Sequence, residues 1–509
     1  MNKINFQVNY IYVLIILCYI PSIYTNFIDI NENREYIDSF NRTIIYHGVN
    51  AVYKLPPYIP QNDTFDPYLS ITDKDIDNLV DWGFNVVRLG VMWEAVEPYE
   101  GVYNDTYMLE IKHLINKLGE KDIKVIIDSH QDTCCNMYCG QGIPNWFANK
   151  SLSKIHLPFP MPITIKPYQN NTGPLSDECT SNLFWNYYLT DAVGTAFEYF
   201  YNNPKSFAEY WKYVANYFSD NENVMAYEIL NEPWPGRYLL NPRFLISSGY
   251  ADRNILASFY EYVTSEIRTV DTEHLIMFEP VTWDYLKSGF EKGPDTKYSK
   301  DIFAYHIYCP IDRTTHFRNM TCINYLDLFF KNREEDANRM NIGAFVTEFG
   351  ATGNETFDID RNIDVTNRFD RYKRSWAYWE WKDFKDITGS PEKEGLYNKL
   401  DGSLELNKLL TLSKPYPMKV SGNLISFNWN HYLKDFEMEY IPNTNIKEPT
   451  EIYVNKLQFN KGHIFDVNNN VTIRKKELGD IGILYSIYVI EDMLNKAENK
   501  ITIRIAEKR

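Results

Sequence analysis

Val224-Met225-Ala226-Tyr227-Glu228-Ile229-Leu230 runs directly into Asn231-Glu232-Pro233. The first seven residues read as a buried strand, and the polar cluster ends it. Before it, Phe207–Phe218 carries apolar residues at helical spacing. After it, Ile255–Val270 does the same ahead of a second apolar run, Leu275–Phe278. The alternation continues in both directions. Upstream lie Ile44–Asn50 as a strand, Asp73–Trp82 as a helix, Asn85–Leu89 as a strand, Thr106–Leu118 as a helix and Ile123–Asp128 as a strand. Downstream, Phe303–His306, Gly343–Thr347 and Arg374–Trp379 complete the strands. Short strands alternating with longer helices from about residue 44 to 382 predict an α/β fold, a (β/α)8 TIM barrel with large loop insertions.

The pattern changes after Pro417. Leu424-Ile425-Ser426-Phe427-Asn428-Trp429 and Ile483-Leu484-Tyr485-Ser486-Ile487-Tyr488-Val489 alternate, and helical spacing is scarce apart from a turn near Glu491–Asn499. The expected organisation is therefore a leader over residues 1–25, a catalytic domain over 26–417 and a small C-terminal β-sandwich over 418–509. With no internal repeat, long linker or low-complexity segment, the domains are expected to pack directly.

The leader is read from Lys3 followed by the apolar run Ile11–Ile20 and then Pro21-Ser22, the shape of a secretory signal peptide cleaved near Thr25. No later stretch approaches a transmembrane length, and the charged end Ile501–Arg509 is not a GPI tail. Asn41, Asn62, Asn104, Asn149, Asn170, Asn319, Asn354 and Asn470 each begin an Asn-x-Ser/Thr sequon, which suits an N-glycosylated protein that is secreted or held in the endolysosomal lumen. Once Cys18 leaves with the leader, six cysteines remain, an even number that points to disulfides. Cys309 and Cys322 close a short loop and are the natural pair; Cys134, Cys135, Cys139 and Cys179 allow three connectivities, of which the adjacent bond is disfavoured by ring strain. Paired Cys-x-x-Cys zinc knuckles are missing from the spacing.

The 68 acidic and 52 basic residues give a net charge of −16 over 509 residues, which argues against nucleic acid as a partner. It excludes no acidic or lipid substrate, because charge can be local. Aromatic residues make up 16%, including 40 Tyr; this suits sugar-stacking platforms and equally a compositional bias.

Functional side chains of such a barrel gather at the C-terminal ends of its strands. In strand order these ends carry Lys54, Arg88, then Asp128, His130 and Asp132, then Asn231-Glu232-Pro233, Glu279, His306 and Tyr308, Thr347-Glu348-Phe349-Gly350, and Trp379 and Trp381. Glu232 and Glu348 thus face one another across one barrel mouth. Glycoside hydrolysis needs such a pair, one acid for the leaving oxygen and one carboxylate for the anomeric carbon. Glu228, two residues inside its strand, reads as a buried ion-pair partner.

Asn231-Glu232-Pro233 together with Thr347-Glu348-Phe349-Gly350 resembles glycoside hydrolase family 5 of clan A, whose members are retaining barrels. Asp128-Ser129-His130-Gln131-Asp132, Gly142-Ile143-Pro144-Asn145-Trp146, Asn231–Gly236, His47-Gly48-Val49-Asn50, Phe278-Glu279-Pro280, Lys414-Pro415-Tyr416-Pro417 and the trailing β-domain are similar to its endoglycoceramidases and glycosylceramidases. The resemblance covers roughly residues 44–509. It implies Glu232 as acid/base, kept protonated by Glu348 and limited solvation, and Glu348 as nucleophile, kept ionised by Arg88 and Tyr308. It further implies Asn231 on the sugar 2-hydroxyl, Lys54, His130 and Asp132 on other hydroxyls, His306 beside the acid/base, and Trp379 (or Trp381, by register) as a stacking floor. Catalysis is expected to use no cofactor or metal. The expected partner is a glycosphingolipid at a membrane or micelle surface, presented by an activator protein or detergent-like lipid. Leu157–Ile163 and Tyr238-Leu239-Leu240 through Phe244-Leu245-Ile246 are the apolar stretches placed to shield its acyl chains. Glucosyl- or galactosylceramidase, soluble β-glucanase, and a binding protein on a retired barrel are the rival readings.

Overall fold

The structure is a computed structural model that describes residues 27–163, 179, 182–282, 284, 286–309, 317–384, 386, 388, 391–469, 471–489 and 500–509. The leader, Asn170, Asn470 and the turn expected at Glu491–Asn499 lie outside these residues.

Eight parallel strands close the barrel: His47–Ala51, Val86–Gly90, Lys124–Asp128, Val224–Glu228, Leu275–Phe278, Asp301–Ile307, Gly343–Gly350 and Ser375–Trp379. Each expected strand has its counterpart, and the expected helices appear within a few residues of their bounds, as at Asp73–Asp81, Asp105–Gly119 and Lys205–Phe218. Local chemistry explains one such start. Thr72 accepts from the Asp75 amide, and the Asp75 carboxylate accepts from the Thr72 amide at 2.8 Å, a reciprocal cap on helix Asp73–Asp81. The same carboxylate meets Lys382 Nζ at 2.6 Å, which ties this helix to the loop after the last barrel strand.

The first barrel strand starts later than its apolar run suggested. Thr43–Ile44 forms a separate strand and pairs antiparallel with Tyr416–Val420, with Ile44 opposite Lys419. Through it, the short strands Asp29–Ile30 and Tyr36–Ile37 join a seven-stranded sheet completed by Thr450–Asn455, Gly482–Tyr488 and Thr472–Glu477. A four-stranded sheet of Gly422–Asn430, Asp435–Pro442, Ile501–Glu507 and His463–Val467 completes the sandwich. Its inner face follows the period of two: Phe436, Met438 and Tyr440 are buried against Ile501, Ile503 and Ile505, while Glu437 faces water.

The two units pack directly. Tyr416 and Tyr453 send their hydroxyls to the carbonyls of Gly83 (2.7 Å) and Asp81 (2.8 Å). Gly83 has φ +79°, and a Cβ there would come within 2.5 Å of the Tyr453 ring, so the turn needs glycine on both counts. His47 is sandwiched between Trp376 and Tyr416, with ring centroids 4.3 and 3.7 Å away.

Candidate active site

Alternation along the strands separates a dry barrel floor from a polar mouth. Val86, Ile126, Ala226, Met277, Ala304 and Phe345 belong to one buried apolar cluster. Two residues further along the same strands stand Arg88, Asp128, Glu228, Glu279 and His306. On the seventh strand strict alternation would select Thr347. A register shift between Val346 and Glu348 sets Glu348 opposite His306 instead, so an irregularity aims the carboxylate.

Arg88 is fully buried and organises the floor of the site. Its Nη1 donates to Glu348 Oε1 (2.6 Å) and Asn50 Oδ1 (3.0 Å), its Nη2 to Asn231 Oδ1 (2.8 Å), and its Nε pairs with Glu228. Tyr308 donates its hydroxyl to the other Glu348 oxygen at 2.7 Å. Burial pushes the Glu348 carboxyl above the usual range, while the Arg88 guanidinium pulls it down. Oxygens of Glu232 and Glu348 lie within 4.8 Å of each other, with His306 between them. His306 Nδ1 is 2.8 Å from Glu232 and 3.3 Å from Glu348, and burial lowers its pKa to about 4, so the ring is neutral near pH 7.

Glu232 is pushed up to about 7, first by burial and then by the charge of Asp132; His130, Arg88 and Lys54 oppose the rise. Asp132 thus joins the nearby Glu348, whose own carboxyl is raised by the like charge of Glu232. Lys54, 2% exposed, lies 2.8 Å from Asp132 and 2.9 Å from Asp386, and its Nζ sits 4.7 Å above the Trp379 ring. His130 Nδ1 is 2.7 Å from Asp128 and its ring stacks on Trp379 at 5.5 Å and 12°. Burial disfavours its cation, but Asp128 and Asp132 outweigh that and raise it to about 9.

All ten expected site residues thus converge on one mouth. Trp381 is elsewhere, fully buried near Phe384, which leaves Trp379 as the tryptophan beside Lys54 and His130. Glu228 is the expected ion-pair partner. Four participants carried no expected role: Asn50, which touches Arg88; Asp386 and Thr388, which bond Lys54; and Gln131 beneath Asn231 and Glu232. Asn50 and Gln131 stood in quoted motifs, whereas Asp386 and Thr388 come from a long loop without local signal. Other tight groups of metal-type donors, Glu228–Glu279–His306 and Glu380–Asp386–Glu394, already receive positive charge from Arg88 and Lys54.

Of the apolar stretches, Leu157–Ile163 is divided: Met161 is exposed, and Leu157 and Ile163 are half-buried. Phe159 is buried, 5.4 Å from Tyr138 and 5.9 Å from Tyr187, so it roofs the barrel. Leu239, Leu240, Leu245 and Ile246 remain exposed, Leu240 at 63% and Ile246 at 79%. Cys309–Cys322 forms as expected; Cys139 pairs with Cys179, and Cys134 and Cys135 stay as buried thiols.

Residues 53–385 match the family model "Cellulase (glycosyl hydrolase family 5)", and residues 414–489 match the family's C-terminal domain. The chain belongs to glycosyl hydrolase family 5 and is a glycoside hydrolase. It is 31% identical to an endoglycoceramidase of Cyanea nozakii, over 88% of this chain and 86% of the relative. It is 30% identical to an endoglycoceramidase of Hydra vulgaris, over 94% and 89%. In fold it is similar to endo-glycoceramidase II from Rhodococcus sp. in its ganglioside GM3 complex, with TM-score 0.72, 22% identity, and 93% and 99% of the two chains covered.

Proposed function

We propose that this glycosidase cleaves glycosphingolipids between glycan and ceramide and retains the β configuration. Glu348 attacks the anomeric carbon as the bond to the ceramide oxygen breaks, and Glu232 gives that oxygen its proton. Glu232, now a carboxylate, takes a proton from water as the water oxygen displaces Glu348 from the same carbon. The observation that carries this is that one oxygen of Glu232 and one of Glu348 lie within 4.8 Å of each other and both meet His306 Nδ1, at 2.8 and 3.3 Å. Retaining pairs stand about 5–5.5 Å apart, whereas inverting pairs need about 6.5–9.5 Å for an intervening water.

Each partner suits its role. Glu348 receives two donors at rest, Arg88 and Tyr308, which favour the ionised nucleophile. Glu232, with its pKa near 7, keeps a proton to give. Asn231 spends its oxygen on Arg88 and one amide hydrogen on the Gln131 carbonyl, which leaves the other hydrogen for a sugar 2-hydroxyl. Lys54, His130 and Asp132 face other hydroxyls, over Trp379. The long identity with the endoglycoceramidases of Cyanea nozakii and Hydra vulgaris and the exposed Leu239, Leu240, Leu245 and Ile246 support ceramide as aglycone. We place the activity at a lipid surface in an extracellular or endolysosomal compartment, a reading supported by the leader sequence and two disulfides. The test is a panel of ganglioside, lactosylceramide, glucosylceramide and cellooligosaccharide with every product identified. Intact oligosaccharide plus ceramide is expected. Monosaccharide release alone, or cleavage of cellooligosaccharide alone, would overturn it.

A further inference from the structure

We infer that Gln131 is a positioning residue for the proton donor: its carboxamide clamps the peptide that carries Glu232 in the backbone conformation that aims the acid. The inference rests on Glu232 being the acid/base.

Gln131 is 1% exposed. Its Nε2 donates to the carbonyls of both Asn231 and Glu232, each at 2.9 Å. Its Oε1 accepts from the Cys134 amide at 3.0 Å. A backbone amide can only donate, so the oxygen must face Cys134 and the NH2 must face the two carbonyls. The contact is reciprocated, since Asn231 Nδ2 donates to the Gln131 carbonyl at 3.0 Å. Tyr188, whose hydroxyl lies 3.3 Å from Nε2, stacks on Trp234 at 5.1 Å and closes the far side.

What is clamped is unusual. Glu232 has φ +40°, in the left-handed region that favours glycine, so its backbone stays there only because its surroundings hold it. Two amide hydrogens on two successive carbonyls fix the orientation of the peptides on either side of the Glu232 amide-to-carbonyl span. Without them both carbonyls lose a buried donor and the residue can relax, which turns the carboxyl away from His306 and from the leaving oxygen. Glu348, held by Arg88 and Tyr308 on other strands, keeps its place. Loss of Gln131 should therefore impair proton transfer selectively and spare nucleophilic attack.

The experiment uses the full chain with Gln131→Met, which keeps length and loses the donor, and Gln131→Glu, which replaces the NH2 by an acceptor. Each is assayed on a glycosphingolipid, whose leaving group needs a proton, and on a 2,4-dinitrophenyl β-glycoside, whose leaving group does not. Glycolipid kcat/KM should fall about 10²-fold, the cost of a misplaced group of roughly 1 Å. The dinitrophenyl value should stay within about threefold. The basic limb of the glycolipid pH profile should move, and azide should accelerate dinitrophenyl glycoside turnover. Equal losses on both substrates, no loss on either, or collapse of the circular dichroism spectrum in both variants would overturn the inference; if one variant collapses, the other is decisive. Glu232→Ala is run in parallel. If azide fails to rescue it on the activated substrate, the acid/base reading itself falls. If azide rescues it and the Gln131 variants show no split between substrates, only the positioning role falls.

Discussion

Tyr308→Phe removes one oxygen and little else from the site. The hydroxyl is 2.7 Å from Glu348 Oε2, while Arg88 holds Oε1 at 2.6 Å, so the nucleophile keeps one donor and loses the other. A hydrogen bond to a charged group contributes about 1.5–3 kcal/mol, and Tyr308 is only partly buried, which favours the lower half of that range. Two consequences follow from one number. The ionised form loses that stabilisation, so the Glu348 pKa should rise further. The carboxylate must be ionised to attack, so the acidic limb of kcat/KM should move to higher pH. At the optimum the loss should be about tenfold or somewhat more. The assay is a pH profile on a soluble aryl glycoside, which makes no acyl contact and keeps lipid presentation out of the comparison. An unmoved acidic limb with full activity would refute the reasoning, because the hydroxyl would then contribute nothing to ionisation of Glu348.

Glu348→Gln should abolish turnover with an unchanged thermal transition; near wild-type turnover would sink the nucleophile assignment. Because Glu232 must be protonated to act and its pKa is about 7, wild-type glycolipid kcat/KM should fall as pH rises through 7, a limb absent with activated leaving groups. His130 is raised from 6.5 to about 9 on folding, so its contribution to stability is complete below 6.5 and lost as pH rises through 9; Tm should decline across that window, and a flat Tm would contradict it. Polar replacement of Leu240, Leu245 and Ile246 should cost about tenfold or more on long-chain glycolipid, given about 1.5–3 kcal/mol per fully buried apolar side chain, and spare the aryl glycoside. Equal losses on both substrates would make the stretch structural.

Much of the barrel was legible because its strands are buried on both faces and read as apolar runs, and because strand ends are where such folds carry polar groups. Val224–Glu232 shows both features in nine residues. The N-terminal strands were not legible. Asp29–Ile30 and Tyr36–Ile37 are two residues each, too short for any period, and they reach the sandwich only through Thr43–Ile44, whose partner Tyr416–Val420 lies far along the chain. Within the site, Glu232 and Glu348 could be found by type and place, but what tunes them could not. Asp132 adds to the rise of Glu232 while Lys54 and His130 around it oppose that rise, a balance that no spacing in the sequence shows. Asp386 and Thr388 reach Lys54 from a loop that spacing cannot fold. Phe159 looked like a lip residue by hydropathy, and only its rings Tyr138 and Tyr187 show it to be core.

The central claim is that Glu348 forms a covalent bond to the sugar. A 2-deoxy-2-fluoro β-glycoside with an activated leaving group slows release of the intermediate, so intact mass followed by peptide mapping reads the attachment directly. The account predicts one glycosyl group per chain, on the peptide that contains Glu348, and no label in Glu348→Gln. A label on Glu232 or on any other residue would contradict it.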